Sequence, residues 1–557
     1  MSRAADFSRT SAVARIEARE DPWDVVVIGG GATGIGVALD AATRGLDVLL
    51  LERGDFGEGT SSRSTKLVHG GVRYLQQGNV TLVRDALRER SLLRRNASHL
   101  VRDLRFVIPC RHWPQRLFYG LGLKLYDALA RGGGGFGRSH GVGATELRRL
   151  LPTLRDGIAS GGVVYHDGQF DDARLLITMA RTAWDHGGCL VNYLQATGLL
   201  KDRRGNVRGV QVRDVLSGVS REVAARSVIN AAGPFGDDIR RMDDAETDPL
   251  LATSQGVHLV LPKDFFPGDA ALIIPRTRDG RVLFLIPWYG RVVVGTTDTA
   301  IPEPVREPLA QPQEIAFLLE TAAEYLERSP GTDDVLSVFT GIRPLVRGDR
   351  SSRTASLSRD HRVVVADSGL ITITGGKWTT VRKMGEDGVD RAIRHAGLRA
   401  GPCRTAGLRL HGSPDVPGEP PSRSRRQEDR YSGSGPYPPW ETVYGGERPT
   451  VDALAAESPE AEKYLANGLP FRGADVIWAT RNEMAETVED VLARRTRLLF
   501  LDARAAVAAA PDVAKLIARE RGHGADWCGR QVQAFSQSAS HYLPDPAGRH
   551  GPVGDGG

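Results

Sequence analysis

The 557-residue chain has little cysteine, and Cys110, Cys189, Cys403 and Cys528 lie far apart with no C-x-x-C pair. That spacing excludes a disulfide framework and a zinc knuckle, and it fits thiols kept reduced. No metal site is expected. The chain also lacks a charge surplus: 73 Lys+Arg against 68 Asp+Glu leaves +5, too little over this length to predict a nucleic-acid partner. No apolar run approaches the roughly 18 residues of a membrane span, so any membrane contact is expected at the surface. The start mixes Arg3, Arg9, Arg15 and Arg19 with Asp6, Glu17 and Glu20 and has no apolar signal-peptide stretch. Residues 1–22 are read as a polar lead-in.

What is present is globular in composition, with 41% hydrophobic and 25% charged residues. At about 150 residues per domain, the length suggests three to four domains' worth of chain. From Asp24 the text DVVVIGGGATGIGVALDAATRGLDVLLLE runs from strand-length apolar residues through glycines into a helical pattern, with Ile35, Ala38, Leu39 and Ala42 on one face. A second apolar run, Val48 to Leu51, closes a βαβ unit. The grammar recurs in RSVINAAGPFGDDI (226–239) and GLITITGGKWTTVRKM (369–384), which predicts an α/β fold with its ligand at the carboxyl ends of the strands. Residues 256–299 are short Val/Ile/Leu segments broken by Pro, Gly and Asp, a β-rich insertion. Residues 414–439 are rich in Pro, Gly, Ser and Arg and read as linker. A helical segment follows, in which Met484, Val488, Val491 and Leu492 form an apolar stripe, and the Gly/Pro-rich end is expected to be disordered.

Gly29, Gly31 and Gly34 form G-x-G-x-x-G between strand and helix, the context that makes this pattern meaningful. The first glycine permits the turn, the second admits a pyrophosphate to the backbone amides, and the third lets helix and strand pack closely. Glu52 follows about twenty residues on, where a carboxylate accepts from a ribose. Gly132, Gly134 and Gly137 match the same pattern but follow the helical LKLYDALA, so they read as a loop. Gly376-Lys377 resembles the end of a P-loop, but Trp378 replaces the Ser/Thr and Ile371 the first glycine. One fingerprint implies one bound dinucleotide, and spacing alone does not choose which. If it is a flavin, the electrons must leave to a quinone, to oxygen or to a protein carrier.

The segment TSSRSTKLVHGGVRYL (60–75) is dense in hydroxyls, cations and glycines, unlike core. His69 and Arg73 are four apart, beside Tyr74, and share a face if the piece is helical. With HDGQFDDARL (166–175), QGVHLVLP (255–262), FLIPWYGRVVVGTTDT (284–299), TGIRPLVR (340–347), TGGKWTTVRKM (374–384) and EMAETVEDVLARRTRL (483–498), the chain resembles the FAD-dependent, respiratory glycerol-3-phosphate dehydrogenases. The matches run in order across most of its length.

The resemblance implies a glutathione-reductase-like FAD domain with an interleaved β-rich substrate domain and a helical C-terminal domain. It divides the chain into an oxidoreductase unit at 23–398, a linker at 399–439, a helical domain at 440–543 and a tail at 544–557. Within the unit, about 23–100, 150–250 and 345–398 are FAD-binding and about 101–149 and 251–344 are substrate-domain parts. It places His69, His258 and Lys377 at the chemistry and Arg73, Tyr74 and Arg343 at the substrate. For the cofactor it implies the glycine turn (Gly29, Gly31, Ala32, Thr33, Gly34), Glu52, the hydroxyl-rich segment (Thr60, Ser61, Ser62, Lys66, Gly70, Gly71), Ala232, Gly233 and Asp298. Gly375, Gly376, Lys377 and Thr379 complete that set.

The implied reaction oxidises sn-glycerol 3-phosphate to dihydroxyacetone phosphate and passes electrons from FAD to a membrane quinone, on a protein peripheral to the cytoplasmic membrane face. Its oligomer is not written in the sequence, and a homodimer is compatible with it. Arginine offers bidentate bonds to phosphate, and a histidine or lysine can take the hydroxyl proton or stabilise an alkoxide. His69 and His258 are the first candidates for the base. Residues 111–129, RHWPQRLFYGLGLKLYDAL, interleave cations with aromatics, which suits either a membrane interface or an ordinary packed amphipathic helix. The rivals are an oxidase that delivers electrons to oxygen and a flavin-binding protein without catalysis; the charged set His69, Arg73, His258, Arg343 and Lys377 argues against the latter.

Overall fold

A computed structural model describes residues 6–72, 75, 79–130, 136–347, 361–414 and 440–544. One sheet runs, in spatial order, Arg362–Val365, Ile371–Thr374, Ser220–Asn230, Trp23–Ile28, Val48–Leu51 and Cys189–Val191. The last five are mutually parallel, with Val25 to Ile28 in register with Ser227 to Asn230 on one side and with Val48 to Leu51 on the other. Parallel strands covered on both faces need continuous apolar runs, and Val25, Val26, Val27, Leu49 and Leu50 are fully buried. The helices Ala32–Thr43, Asp172–Asp185 and Val381–Ala396 pack together on this sheet, while the antiparallel strands Leu194–Lys201 and Val207–Asp214 extend from Ser220–Asn230. Part of the polar lead-in is folded. Arg9–Glu17 is a helix whose Ala12 and Ile16 are buried, tied down by Arg9 to Asp214 and by Arg15 to the carbonyls of Gly187 and Gly188.

The second sheet is largely antiparallel. Leu251–Pro262 pairs with both Ser337–Val346 and Arg291–Gly295, and the sheet continues through Leu283–Trp288 and Ala271–Ile274 to Val101–Cys110 and Gly161–Phe170. Side chains alternate along Leu251–Pro262: Val257, Leu259 and Leu261 enter a core with Leu318 of the helix Pro312–Tyr325, so His258 faces the other way. Within residues 150–250, read from sequence as an FAD-binding part, one strand belongs to this second sheet. Gly161–Phe170 pairs along its whole length with Val101–Cys110, which makes it a strand of the second sheet.

The C-terminal helices Arg448–Ala455, Gly473–Asn482, Ala503–Arg521 and Ala525–Ser540 form a module packed on both layers. Residues 399–414, read as linker, are packed structure: Thr405 and Leu410 are buried, and Asn96 donates to the Thr405 carbonyl. Residues 415–439 lie outside the described set, as do 545–557. Met484, Val488, Val491 and Leu492 are all buried, but not on one regular helix. Met484 adopts a left-handed conformation at φ 52°, and Asp490–Arg495 is π-helical. Among the described residues, no helix is long and apolar enough to cross a membrane.

Candidate active site

The carboxyl ends of the parallel strands open into a cleft of about 520 Å³, reached also by the inner face of the second sheet. At its floor Gly29 has φ +114°, and a Cβ there would lie 2.5 Å from the carbonyl oxygen of Ala231. A Cβ on Gly34 would lie 1.8 Å from the Gly29 oxygen, so the helix Ala32–Thr43 reaches its strand only through glycine. The N–H of Ala32 donates to Ser61 Oγ at 2.9 Å. Glu52 accepts from the amides of Gly30 at 2.6 Å and Gly54 at 2.9 Å, and its burial raises its carboxyl above the ordinary range. A carboxylate has about four lone-pair sites, so capacity for ribose hydroxyls remains.

The opposite wall carries His258 and Arg343. His258 Nε2 lies 2.9 Å from Thr65 Oγ1, and its ring stacks on Phe339 with centroids 4.7 Å apart. Burial, followed by the Lys66 ammonium and the Arg343 guanidinium, holds His258 well below the usual histidine value, so the imidazole is neutral near pH 7. Arg343, on Ser337–Val346, donates from Nη1 to Asp298 Oδ1 at 3.0 Å and to the Gln255 carbonyl at 3.2 Å. Its Nη2 reaches Thr296 Oγ1 at 3.2 Å and the Thr297 carbonyl at 3.0 Å. His69 follows the short strand Leu67–Val68 and is not helical. Its N–H donates to Thr379 Oγ1 at 3.0 Å, and its carbonyl accepts from the same hydroxyl at 3.2 Å. Lys377 follows Gly375 and Gly376, both at positive φ, after the strand Ile371–Thr374.

Gly29, Gly31, Ala32, Thr33, Glu52, Thr60, Ser61, His69, Ala232, Gly233, His258, Arg343, Gly375, Gly376 and Lys377 therefore meet in one cleft. The sequence profile of the FAD-dependent oxidoreductases matches residues 24–382, and that of the C-terminal domain of alpha-glycerophosphate oxidase matches 403–527. The mitochondrial glycerol-3-phosphate dehydrogenase of Arabidopsis thaliana is 42% identical over 94% of this chain and 86% of its own. The human mitochondrial glycerol-3-phosphate dehydrogenase is 40% identical over 94% of this chain and 73% of its own.

The chain belongs to the FAD-dependent glycerol-3-phosphate dehydrogenase family.

The solved structure of the Bacillus halodurans glycerol-3-phosphate dehydrogenase complexed with FAD superposes with a TM-score of 0.77 at 29% identity, covering 97% of this chain and 98% of that one. An L-alpha-glycerophosphate oxidase from Mycoplasma pneumoniae shares the fold at 16% identity and TM-score 0.55, covering 70% of this chain and 98% of its own. FAD is the cofactor, and the glycine cradle fits it: Gly29 and Gly34 let the turn close against Ala231 and the helix Ala32–Thr43 against its strand, the tight packing that a pyrophosphate-binding turn requires.

Several residues assigned to the cofactor from sequence lie behind the cleft of this dehydrogenase-family chain. Ser62 and Lys66 are buried. Lys66 Nζ bonds Asp172 Oδ2 and the Ser62 carbonyl, both at 2.7 Å, and burial pulls the amine down to about 7. Asp298 is the partner of Arg343, and Thr379 holds the His69 backbone. Gly70 donates to Tyr126 Oη at 2.9 Å, and Gly71, at φ +77°, is buried beside it. Arg73, Tyr74, Gly132 and Gly134 lie outside the described residues. No metal-binding cluster of His, Cys, Asp or Glu occurs among the described residues.

Sequence reasoning missed Thr65, which lines the cleft against His258. Its hydroxyl stood in plain view within the 60–75 segment, but only the packing of the loop before Leu67–Val68 against the strand Leu251–Pro262 brings a partner to it. It also missed Trp378, whose Nε1 donates to the Ser61 carbonyl at 2.9 Å and so ties the Gly376-Lys377 turn to the glycine-cradle side.

Proposed function

We propose that the chain oxidises sn-glycerol 3-phosphate to dihydroxyacetone phosphate and passes the electrons to a membrane quinone from the inner face of the cell membrane. The observation that carries this reading is the meeting of the dinucleotide cradle, a neutral His258 and the cationic Arg343 in one cleft. Held by the glycine turn and Glu52, FAD would supply the two-electron acceptor for the oxidation at C2 of the substrate. His258, neutral and buried, takes the hydroxyl proton as C2 is oxidised, with His69 on the same cleft as the other candidate. Lys377 offsets negative charge that develops there. Arg343 keeps its charge at any working pH, and substrate phosphate takes over the contacts that Nη2 makes to Thr296 and Thr297.

A quinone acceptor and a peripheral membrane position are supported by the helix Trp113–Leu129. Its Leu123 and Tyr126 are buried against the fold, while Trp113 (69% exposed), Phe118 (62%), Leu121 (65%), Leu117 and Leu125 form a contiguous apolar stripe facing out. Aromatic and aliphatic side chains on one face, with Arg116 and Lys124 on the same helix, match the chemistry of a bilayer interface.

The test is anaerobic. Glycerol 3-phosphate added to purified holoprotein should bleach the oxidised flavin spectrum, and a soluble quinone analogue should restore it. A yellow protein that ignores glycerol 3-phosphate overturns the substrate. The C-terminal match to a glycerophosphate oxidase domain favours a second reading, oxygen as acceptor. Stoichiometric peroxide under air, with no quinone reduction, would decide for it.

A further inference from the structure

The ring of His258 is boxed in by shape on several sides. Phe339 stacks on it with planes 10° apart, and Gly295 packs so closely that a Cβ there would sit 2.3 Å from His258 Cδ2. These contacts fix the plane of the imidazole, but they are nearly blind to a half-turn about the Cβ–Cγ bond, which exchanges Nδ1 with Cδ2 and Nε2 with Cε1. Carbon and nitrogen occupy almost the same volume there, so only hydrogen bonding separates the two orientations. Nδ1 is buried and has no hydrogen-bond partner among the described residues, whereas Nε2 meets Thr65 Oγ1 at 2.9 Å. One hydroxyl therefore distinguishes the two.

We propose that Thr65 is a positioning residue: its hydroxyl, on Nε2, sets the orientation of the His258 ring in the cleft that both residues line. The inference rests on the glycerol 3-phosphate reading and on His258 as the group that takes the proton.

Thr65 is itself held in place from both sides. Ser64 donates to Asp172 Oδ2 through its N–H at 3.1 Å and its Oγ at 2.6 Å, and Lys66 reaches the same oxygen at 2.7 Å. Lys66 sits at φ +65°, a conformation costly for a side chain that size and kept by its buried contacts. From the C-terminal module, Arg497 donates to the other oxygen of Asp172 at 3.0 Å and to the Ser62 carbonyl at 2.7 Å. The C-terminal module thereby helps fix the loop that aims Thr65 at His258. Such a clamp serves a residue whose placement matters to within a fraction of an ångström.

Thr65→Val keeps the shape and deletes the hydroxyl, and Thr65→Ser keeps the hydroxyl. The holoproteins are compared by FAD content, by KM for glycerol 3-phosphate and by the rate of anaerobic flavin reduction. Thr65→Val should keep FAD and a KM within about threefold of wild type while the reduction rate falls about tenfold or more, and Thr65→Ser should recover most of that loss. Nitrogen-15 histidine spectra, read without substrate, should show a changed His258 ring signature in Thr65→Val and not in Thr65→Ser. A Thr65→Val protein that reduces as fast as wild type with an unchanged signature overturns the proposal. So does Thr65→Ser failing as badly as Thr65→Val, or FAD lost from both, because either outcome makes Thr65 a packing residue. If wild-type flavin ignores glycerol 3-phosphate, the substrate reading fails, while the ring signature still judges the Thr65 contact.

Discussion

Arg174 and Glu483 face each other with two hydrogen bonds of 2.7 Å, Nη1 to Oε2 and Nη2 to Oε1, and both side chains are almost completely buried. Arg174 begins the helix Asp172–Asp185 under the parallel sheet, and Glu483 belongs to the C-terminal module. Around them Asp55 takes Arg494 and Arg495, and Asp172 takes Lys66 and Arg497. The two parts of the chain therefore meet through buried ion pairs as well as apolar surface. Removing one partner leaves a charge without compensation, which costs about 3–5 kcal/mol. Arg174→Met should lower denaturant stability by about that much, and Arg174→Met with Glu483→Met should be less destabilised than the single variant. Denaturant melts of the wild type and the two variants measure it.

The same pairs give an acid dependence. Arg174 holds Glu483 down from 4.5 to about 2 against its burial, and Arg495 and Arg494 hold Asp55 down from 3.8 to about 2. A carboxylate whose folded value is depressed adds stability that is complete above its unfolded value and is lost as pH falls toward the folded one. For Glu483 that amounts to roughly 3 kcal/mol. The melting temperature should hold down to about pH 5 and fall steeply between about 4.5 and 2. A flat profile across that window would contradict the pairing.

Gly34→Ala should abolish flavin binding, because its methyl would overlap the Gly29 carbonyl oxygen. Either the helix must move off the strand or the turn must open, and both remove the amides from the pyrophosphate. The ratio of flavin to protein absorbance after purification reads the outcome directly. Gly120→Ala, where an added Cβ meets nothing within 4 Å, should remain yellow.

Arg343→Ala should keep FAD and raise the KM for glycerol 3-phosphate about tenfold or more, the scale of a lost charge-assisted hydrogen bond. Arg343→Lys should rescue poorly, since one ammonium cannot replace the forked contacts to Asp298, Thr296 and Thr297. Loss of flavin instead would make Arg343 a structural residue of the second sheet.

Replacing Trp113, Phe118 and Leu121 together by Gln should cut cosedimentation with anionic lipid vesicles at least tenfold, since each buried side chain contributes about 1.5–3 kcal/mol. Turnover with a soluble acceptor should be unchanged, because none of the three lines the cleft. Equal vesicle binding by both proteins would remove this helix as the docking face.

Much of the site was legible because it is local. Gly29 to Gly34 sit in one turn whose backbone demands glycine, and a βαβ unit announces itself by period and punctuation within thirty residues. His258, Arg343 and Lys377 were read from short motifs that resemble a family, and the structure gathers them in one cleft. Pattern and spacing thus determined the α/β class and the dinucleotide turn, and the resemblance implied the charged residues of the cleft.

The tertiary structure decided which of the neighbouring residues face the cleft. In the 60–75 segment Ser62 and Lys66 point into a buried cluster while Thr65 points at the cleft, a division set by Asp172 and by Arg497, more than a hundred and more than four hundred residues away. Asp298 became the partner of Arg343 because the strand that follows it, Thr299–Ile301, and the strand of Arg343, Ser337–Val346, both pair with Leu251–Pro262. Gly161–Phe170 joined the second sheet, and residues 399–414 packed instead of hanging free, through contacts that no local pattern encodes. Periodicity specifies which face of an element is apolar, whereas the partner of a buried charge is chosen only when distant elements pack, where an unpaired charge is too costly to leave.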